Sequence, residues 1–243
     1  MKKREVLLIV DPQNDFVDPA GSLYIPESEK AIKSICEVIE KRNPSSIIIT
    51  QDTHQAYHIG HSDWWKESPA DFTKITQEDV VNGRYTPKNS QKKKELLNYM
   101  SKLPDKTHTI WPKHCLEGSW GWAFPNFLIE SLNNWQFKNN GKRYQIIQKG
   151  TDQNHEMYSA ITRIDRSGEG LRHSTLIKTL SVYDKVLIAG FAKDVCVAWT
   201  VKDLNKSGYF KNKLVFLDSC MTGLNPDSEM LNVYKLSEGA VWE

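Results

Sequence analysis

Five runs rich in apolar and β-branched residues punctuate the chain, at residues 6–10, 46–50, 144–148, 185–189 and 214–217, and segments of helical spacing separate most of them. The run ending at Ala189 reads as a strand buried on both faces, and strand–helix alternation implies right-handed crossovers and a parallel sheet. Residues 29–41 place Ile32, Ile35, Cys36, Val38 and Ile39 along one side of a helix, so Cys36 reads as core. Further helices are predicted over residues 89–103, 122–132, 170–180, 194–204 and 227–236. The run Lys92-Lys-Lys94 reads as a solvated helix face. Residues 57–88 are polar, aromatic and irregular, a loop longer than compact domains usually carry, and such loops beside sheet ends often hold function.

Composition narrows the picture. A chain of 243 residues suffices for one α/β domain, residues 1–243, with the loop at 57–88 as an insertion and no linker to divide it. Thirty-two Lys and Arg against thirty Asp and Glu leave a net charge of +2, which gives no field for nucleic acid or for an anionic membrane. Cys36, Cys115, Cys196 and Cys220 lie far apart without CxxC spacing, so reduced thiols and a cytoplasmic setting are expected. The basic start is followed by an apolar run that ends at Val10, too short for a signal segment or a membrane span. No G-x-G-x-x-G or P-loop follows a strand, so a nucleotide-binding module has no supporting signal. Trp64 and Trp65 read as exposed residues able to serve a lid or a homo-oligomer interface.

Chemistry gathers where the apolar runs end, the edge at which open parallel sheets place their sites. After residues 185–189, Gly190 breaks the strand and Cys196 falls in the first turn of the next helix. There the helix dipole and free N–H groups favour a thiolate and an oxyanion; an inert core cysteine is the competing reading. Asp11 ends the first strand, placed for general-base work or for an Asx turn, and Asp15 reads as its partner or as a turn residue. Asp52 and His54 end the second strand, with His58 and His61 just beyond, and His114 closes Trp111-Pro-Lys-His-Cys115. Carboxylate with imidazole suits a divalent transition ion, so Asp52, His54 and His114 read as a three-ligand site with open positions, against a plain surface histidine cluster. Lys149 follows another strand, where it would stabilise negative charge beside Cys196 and Asp11. Cys115 is a weaker nucleophile candidate, and Cys220 reads as core or rim.

Together, Asp11-Pro-Gln-Asn-Asp-Phe16, Asp52-Thr-His54, Trp111-Pro-Lys-His-Cys115, Lys149-Gly-Thr-Asp152 and Gly190-Phe-Ala-Lys-Asp-Val-Cys-Val197 resemble the nicotinamidase group of the isochorismatase-like cysteine hydrolases. The resemblance spans nearly the whole chain. It implies a Rossmann-like three-layer α/β/α fold with a mostly parallel sheet of about six strands. It also implies a metal-dependent amidohydrolase that takes nicotinamide to nicotinate and ammonia in NAD salvage. The implied triad is Asp11, Lys149 and Cys196, with an oxyanion hole from the N–H groups of Ala192 and Cys196 across a cis peptide between Phe191 and Ala192. Phe16, Trp111 and Tyr158 would pack the substrate ring. Asp52, His54 and His114 would hold one divalent ion, zinc first and iron or manganese on the same donor chemistry, and whether His58 or His61 adds a ligand is left open. The segment from His58 to Trp65, the loop through Lys88, Lys193 and the Glu156-Met-Tyr158 stretch depart from the family pattern. They leave room for another small amide or ureide as substrate.

Overall fold

The computed structural model describes residues 4–164, 170–172 and 174–243. Its elements begin with β1 (Glu5–Val10), α1 (Asn14–Val17), α2 (Ser28–Arg42), β2 (Ser46–Asp52), β3 (Lys74–Thr76), α3 (Gln77–Val81), α4 (Lys93–Met100), β4 (Thr107–Thr109) and α5 (Asn126–Lys138). They continue with β5 (Gln145–Lys149), β6 (Thr162–Ile164), β7 (Gly170–Arg172), α6 (Ser174–Ser181), β8 (Lys185–Gly190), α7 (Ala198–Ser207), β9 (Leu214–Met221), α8 (Asn232–Lys235) and β10 (Val241–Trp242).

Six strands form the main sheet in the order β10-β9-β8-β1-β2-β5, and every pairing in it is parallel. The consecutive apolar residues of β1 explain its central place, because alternate side chains serve opposite layers. Leu7 and Ile9 pack with Ile32, Ile35, Leu128 and Leu132 of α2 and α5, whereas Val6 and Leu8 pack with Leu180, Val201 and Leu204 of α6 and α7. The result is the expected three-layer α/β/α arrangement. Chain order reverses between β1 and β8, so a crevice opens there at the carboxyl ends of the strands. Register brings Val10 opposite Gly190 and Asp52 opposite Lys149.

The segment read as one long loop has an interior of its own. Ile59, Trp64, Trp65, Ile75, Val80, Leu96, Tyr99, Met100 and Ile110 form a third buried apolar cluster, framed by α3, α4 and the antiparallel pair β3–β4. Trp64 and Trp65 are 2% and 0% exposed, so the expectation that they serve an exposed interface or lid is overturned. Their bulk is what lets so short a segment bury a core.

Other boundaries shift for local reasons. The helix predicted over residues 122–132 runs instead from Asn126, behind Pro125, a residue suited to a helix start, while Trp122 and Phe124 pack inward from the preceding loop. Within residues 170–180, residues 170–172 pair with β6, the helix is Ser174–Ser181, and residue 173 lies outside the described residues. The predicted helix over residues 227–236 divides into a 3-10 turn, Glu229–Leu231, and the four-residue α8. Cys36 is half-buried beside the α2–α5 core. Among the described residues no helix is long and apolar enough to cross a membrane.

Candidate active site

Asp52 and Lys149 end β2 and β5, Asp11 directly follows β1, and Cys196 follows β8, so four strand ends deliver one cluster. Lys149 is its centre. Its buried Nζ lies 3.0 Å from Asp11 Oδ2, 3.0 Å from Asp52 Oδ1 and 3.6 Å from Cys196 Sγ, and donates to the Met157 carbonyl at 3.1 Å. Thr50 steadies Asp11 from β2: its hydroxyl donates to Asp11 Oδ1 at 2.6 Å and accepts from the Asp11 N–H at 3.1 Å. Gln13 locks the end of β2 by the same logic, its amide donating to the Asp52 carbonyl and accepting from the Asp52 N–H, both at 2.7 Å.

Burial sets the protonation states. It pushes the Asp11 carboxyl up from its ordinary value; Lys149 opposes the shift without cancelling it, and Asp52 adds to it. Burial alone would lower Lys149, yet Asp11 and Asp52 hold the ammonium well above the ordinary lysine value. The Cys196 thiol is pushed well up by burial, with Lys149 opposing and Asp11, Asp52 and Glu156 reinforcing. Residues Lys193–Val197 form a π-helical turn ahead of α7, and loss of water together with three carboxylates opposes a thiolate there, so Cys196 calls for a base.

Asp52 joins this cluster to a second one. Its Oδ2 lies 3.1 Å from His54 Nε2 and 3.4 Å from His114 Nε2, and the three donors are buried within 4.8 Å of one another. His54 Nδ1 meets the Gly150 carbonyl at 3.2 Å and His114 Nδ1 meets the Pro112 carbonyl at 2.7 Å. A carbonyl only accepts, so each Nδ1 carries a proton, and Nε2, which faces Asp52, is the ring atom left for a metal when the ring is neutral. Burial disfavours charge on His54, but Asp52 and Glu156 outweigh it and push it up to about 9, so the carboxylates draw positive charge to this spot. Asp11 and Asp52, 0% and 3% exposed, share the Lys149 ammonium, and Glu156, 6% exposed, lies 3.7 Å from His54 Nε2, a concentration of carboxylate oxygen that suits a divalent cation. Gly150, at φ +73°, leaves the room this requires, since a Cβ there would lie 2.6 Å from Asp52 Oδ1. The donor set and its tautomers therefore fit a divalent ion.

His58 and His61 are brought beside this group with different standing. His58, with Glu156 and His54, makes a second set of possible donors, but its Nδ1 accepts from the Gly60 N–H at 3.1 Å, which in the neutral ring leaves the proton on Nε2. His61 Nδ1 meets the Ala56 carbonyl at 3.3 Å. His114 follows β4 by five residues and stands in a loop, not at a strand end as its spacing suggested.

The adjoining cavity spans about 370 Å³, open solvent included. Phe16, Trp111 and Tyr158 line it with Ala192, Cys196, Asp52 and His114, and the Trp111 indole N–H donates to the Tyr158 hydroxyl at 3.1 Å. The Phe191–Ala192 peptide is cis. Leu23, Ile25, Val195, Leu224 and Glu156 complete the walls, none of which was anticipated from the sequence. Gln13 and Val195 fall inside the motifs without a role assigned to them, and neither spacing nor motif marks Thr50, Leu23, Ile25 or Leu224 as site residues. Asp15 resolves as a support, its carboxylate accepting from the Cys115 N–H at 2.6 Å and the Ser22 N–H at 2.9 Å. Cys115 is fully buried, its thiol held well up by burial and by Asp52, and Cys220 is a core residue pushed up to about 11 by burial.

No protein-family model matches the chain. The nicotinamidase of Saccharomyces cerevisiae is 27% identical over 237 residues, 95% of this chain and 94% of that protein, and the nicotinamidase of Acinetobacter baylyi is 29% identical over 88% of this chain and 79% of that protein. Among solved structures, the yeast nicotinamidase bound to the inhibitor nicotinaldehyde superposes with a TM-score of 0.69 at 22% identity, covering 98% of this chain and 100% of that one. The Pyrococcus horikoshii pyrazinamidase in complex with zinc gives 0.59 at 22% identity, covering 99% and 98%. This chain is thus similar to the nicotinamidases in sequence over nearly its full length, and it has their fold.

Proposed function

We propose that this chain hydrolyses nicotinamide to nicotinate and ammonia, with Cys196 as nucleophile, Asp11 as proton carrier and Lys149 as fixed positive charge. The observation that carries this reading is the Lys149 ammonium, shared by Asp11, Asp52 and Cys196 beside a small cavity lined by aromatic residues. Asp11 takes the thiol proton as Sγ bonds to the carboxamide carbon, and the carbonyl electron pair moves onto oxygen. The N–H groups of Ala192 and Cys196 receive that oxyanion. As the carbonyl re-forms, the C–N bond breaks and Asp11 returns its proton to the departing nitrogen, which leaves as ammonia. Water, deprotonated by Asp11, then cleaves the thioester, releasing nicotinate and restoring the thiol.

Phe16, Trp111 and Tyr158 hold the pyridine ring between their faces and edges. Asp52, His54 and His114 are assigned as ligands of one divalent ion, zinc foremost, given the zinc complex of the similar pyrazinamidase. When bound, such an ion supplies a Lewis-acid contact for the pyridine nitrogen and fixes the ring's orientation. The product acid suits NAD salvage in the cytoplasm.

The direct test is ammonia release from nicotinamide by the purified protein, with bound metal counted by elemental analysis. Turnover that is lost on chelation and restored by one equivalent of Zn²⁺ is expected; no ammonia with metal restored overturns the reading. The pH profile offers a second check. Because the base must be ionised and its carboxyl is raised by burial, kcat/KM should fall as pH drops through a value above the ordinary aspartate range. Thr50 favours the ionised carboxylate by donating to it, so Thr50→Val should move that acid limb to higher pH. An unmoved limb in a folded Thr50→Val protein would remove Asp11 as the group that sets it.

A further inference from the structure

The apolar cluster beside the sheet holds buried polar contacts that the chemistry above does not use. His108 is 0% exposed, with Nε2 3.1 Å from the Ile59 carbonyl oxygen and Nδ1 3.2 Å from the Tyr99 hydroxyl. The carbonyl can only accept, so Nε2 carries the proton; Nδ1 then accepts, and the Tyr99 O–H donates. Burial holds His108 below its ordinary value, in this neutral form. The same Ile59 oxygen takes a second donor, the Trp65 indole N–H at 2.9 Å, and the Trp65 ring stacks on His108 with centroids 5.9 Å apart.

The peptide gripped in this way is a junction. The Ile59 N–H donates to the Gln153 carbonyl at 2.8 Å, in the loop that follows Lys149. The Gly60 carbonyl accepts from the Trp111 N–H at 2.7 Å, which sets one cavity wall. The Gly60 N–H donates to His58 Nδ1 at 3.1 Å, and the His58 ring lies 4.2 Å from that of His54, backing a member of the metal-binding group. Gly60 also lies under Glu156, since a Cβ there would come 2.6 Å from Glu156 Oε2. Two residues therefore join the lysine loop, the Trp111 wall and the back of His54.

We propose that His108 and Trp65 are positioning residues, which grip the Ile59 carbonyl and so hold the metal-binding and ring-binding faces of the site in register. The inference rests on the reading of Asp52, His54 and His114 as metal ligands. It also gives the inserted segment a purpose: Trp65 of that segment and His108 of β4 bring two donors to one carbonyl, and neither side chain lines the cavity. Residues of this kind that orient ligands typically change metal affinity by about 10–100-fold when lost.

The test compares His108→Phe, which keeps a ring against Trp65 but loses both nitrogens, with His108→Gln, which keeps an N–H donor of similar reach. Zn²⁺ affinity is read by chelator competition, KM and kcat with nicotinamide at saturating Zn²⁺, and protection of the Ile59 and Gly60 amides by hydrogen exchange. In His108→Phe, the Zn²⁺ dissociation constant and KM should each rise about tenfold or more, and both amides should lose protection. In that variant kcat should stay within about twofold, and His108→Gln should recover most of the loss. A folded His108→Phe protein with Zn²⁺ affinity and KM within about twofold of the parent overturns the proposal, as does a fall confined to kcat. If His108→Phe does not fold, Trp65→Phe removes the other donor and is read by the same criteria. Zn²⁺ affinity and amide protection do not depend on turnover, so a parent protein that binds Zn²⁺ but ignores nicotinamide fails the proposed function without deciding this inference against His108.

Discussion

Cys196→Ala is expected to abolish ammonia release, lowering kcat by at least about 10⁴-fold, because no other group in the cavity can form the thioester. The thiol is small and its ionisation is opposed by burial, so it contributes little to holding the ring, which rests on Phe16, Trp111 and Tyr158. Nicotinamide and Zn²⁺ should therefore bind the variant within a fewfold of the parent, measured by calorimetry. Cys115→Ala is the informative contrast: this thiol is fully buried in the core and is absent from the cavity lining, so its loss should cost stability and leave kcat nearly intact. Turnover in Cys196→Ala within tenfold of the parent would exclude it as nucleophile. Loss in Cys115→Ala at full stability would move the role there.

Lys149→Met should damage both stability and activity. Methionine matches much of the lysine stem, but it strands Asp11 and Asp52, 0% and 3% exposed, without their shared ammonium. Removing one partner of a buried ion pair costs about 3–5 kcal/mol. For a chain of this size that corresponds to a fall in Tm of roughly 6–20 °C. The deficit should shrink toward acid pH: Asp11, already raised by burial, takes a proton there and no longer needs the cation. Activity should fall even where the protein is folded, since the same ammonium faces Cys196 Sγ. A melting temperature within about 2 °C of the parent would show that the carboxylates find other compensation and that Lys149 is not the electrostatic centre.

Much of this arrangement is legible in the chain. Consecutive apolar runs at residues 6–10, 46–50 and 185–189 fix buried parallel strands, because only a sheet covered on both faces buries every position of a run. Their ends then name Asp11, Asp52, Lys149 and the helix start at Cys196 as neighbours of one sheet edge. The helix at residues 29–41 was equally readable, since its apolar stripe has a single face to bury. Spacing failed where side chains from distant segments meet. Trp64 and Trp65 lie in a polar stretch and read as exposed, yet Ile75, Tyr99 and Ile110 arrive from three other elements to cover them.

The sequence by itself determined which residues reach the carboxyl edge of the sheet, because strand ends and breakers are local properties. Tertiary structure decided what those residues are chemically. The register that sets Asp52 against Lys149, the burial that opposes ionisation of the Cys196 thiol, and the carbonyl partners that hold a proton on Nδ1 of His54 and His114 all depend on groups far away in the chain. Charge and proton position answer to the nearest dipoles and to the loss of water, and neither is written in the order of the residues.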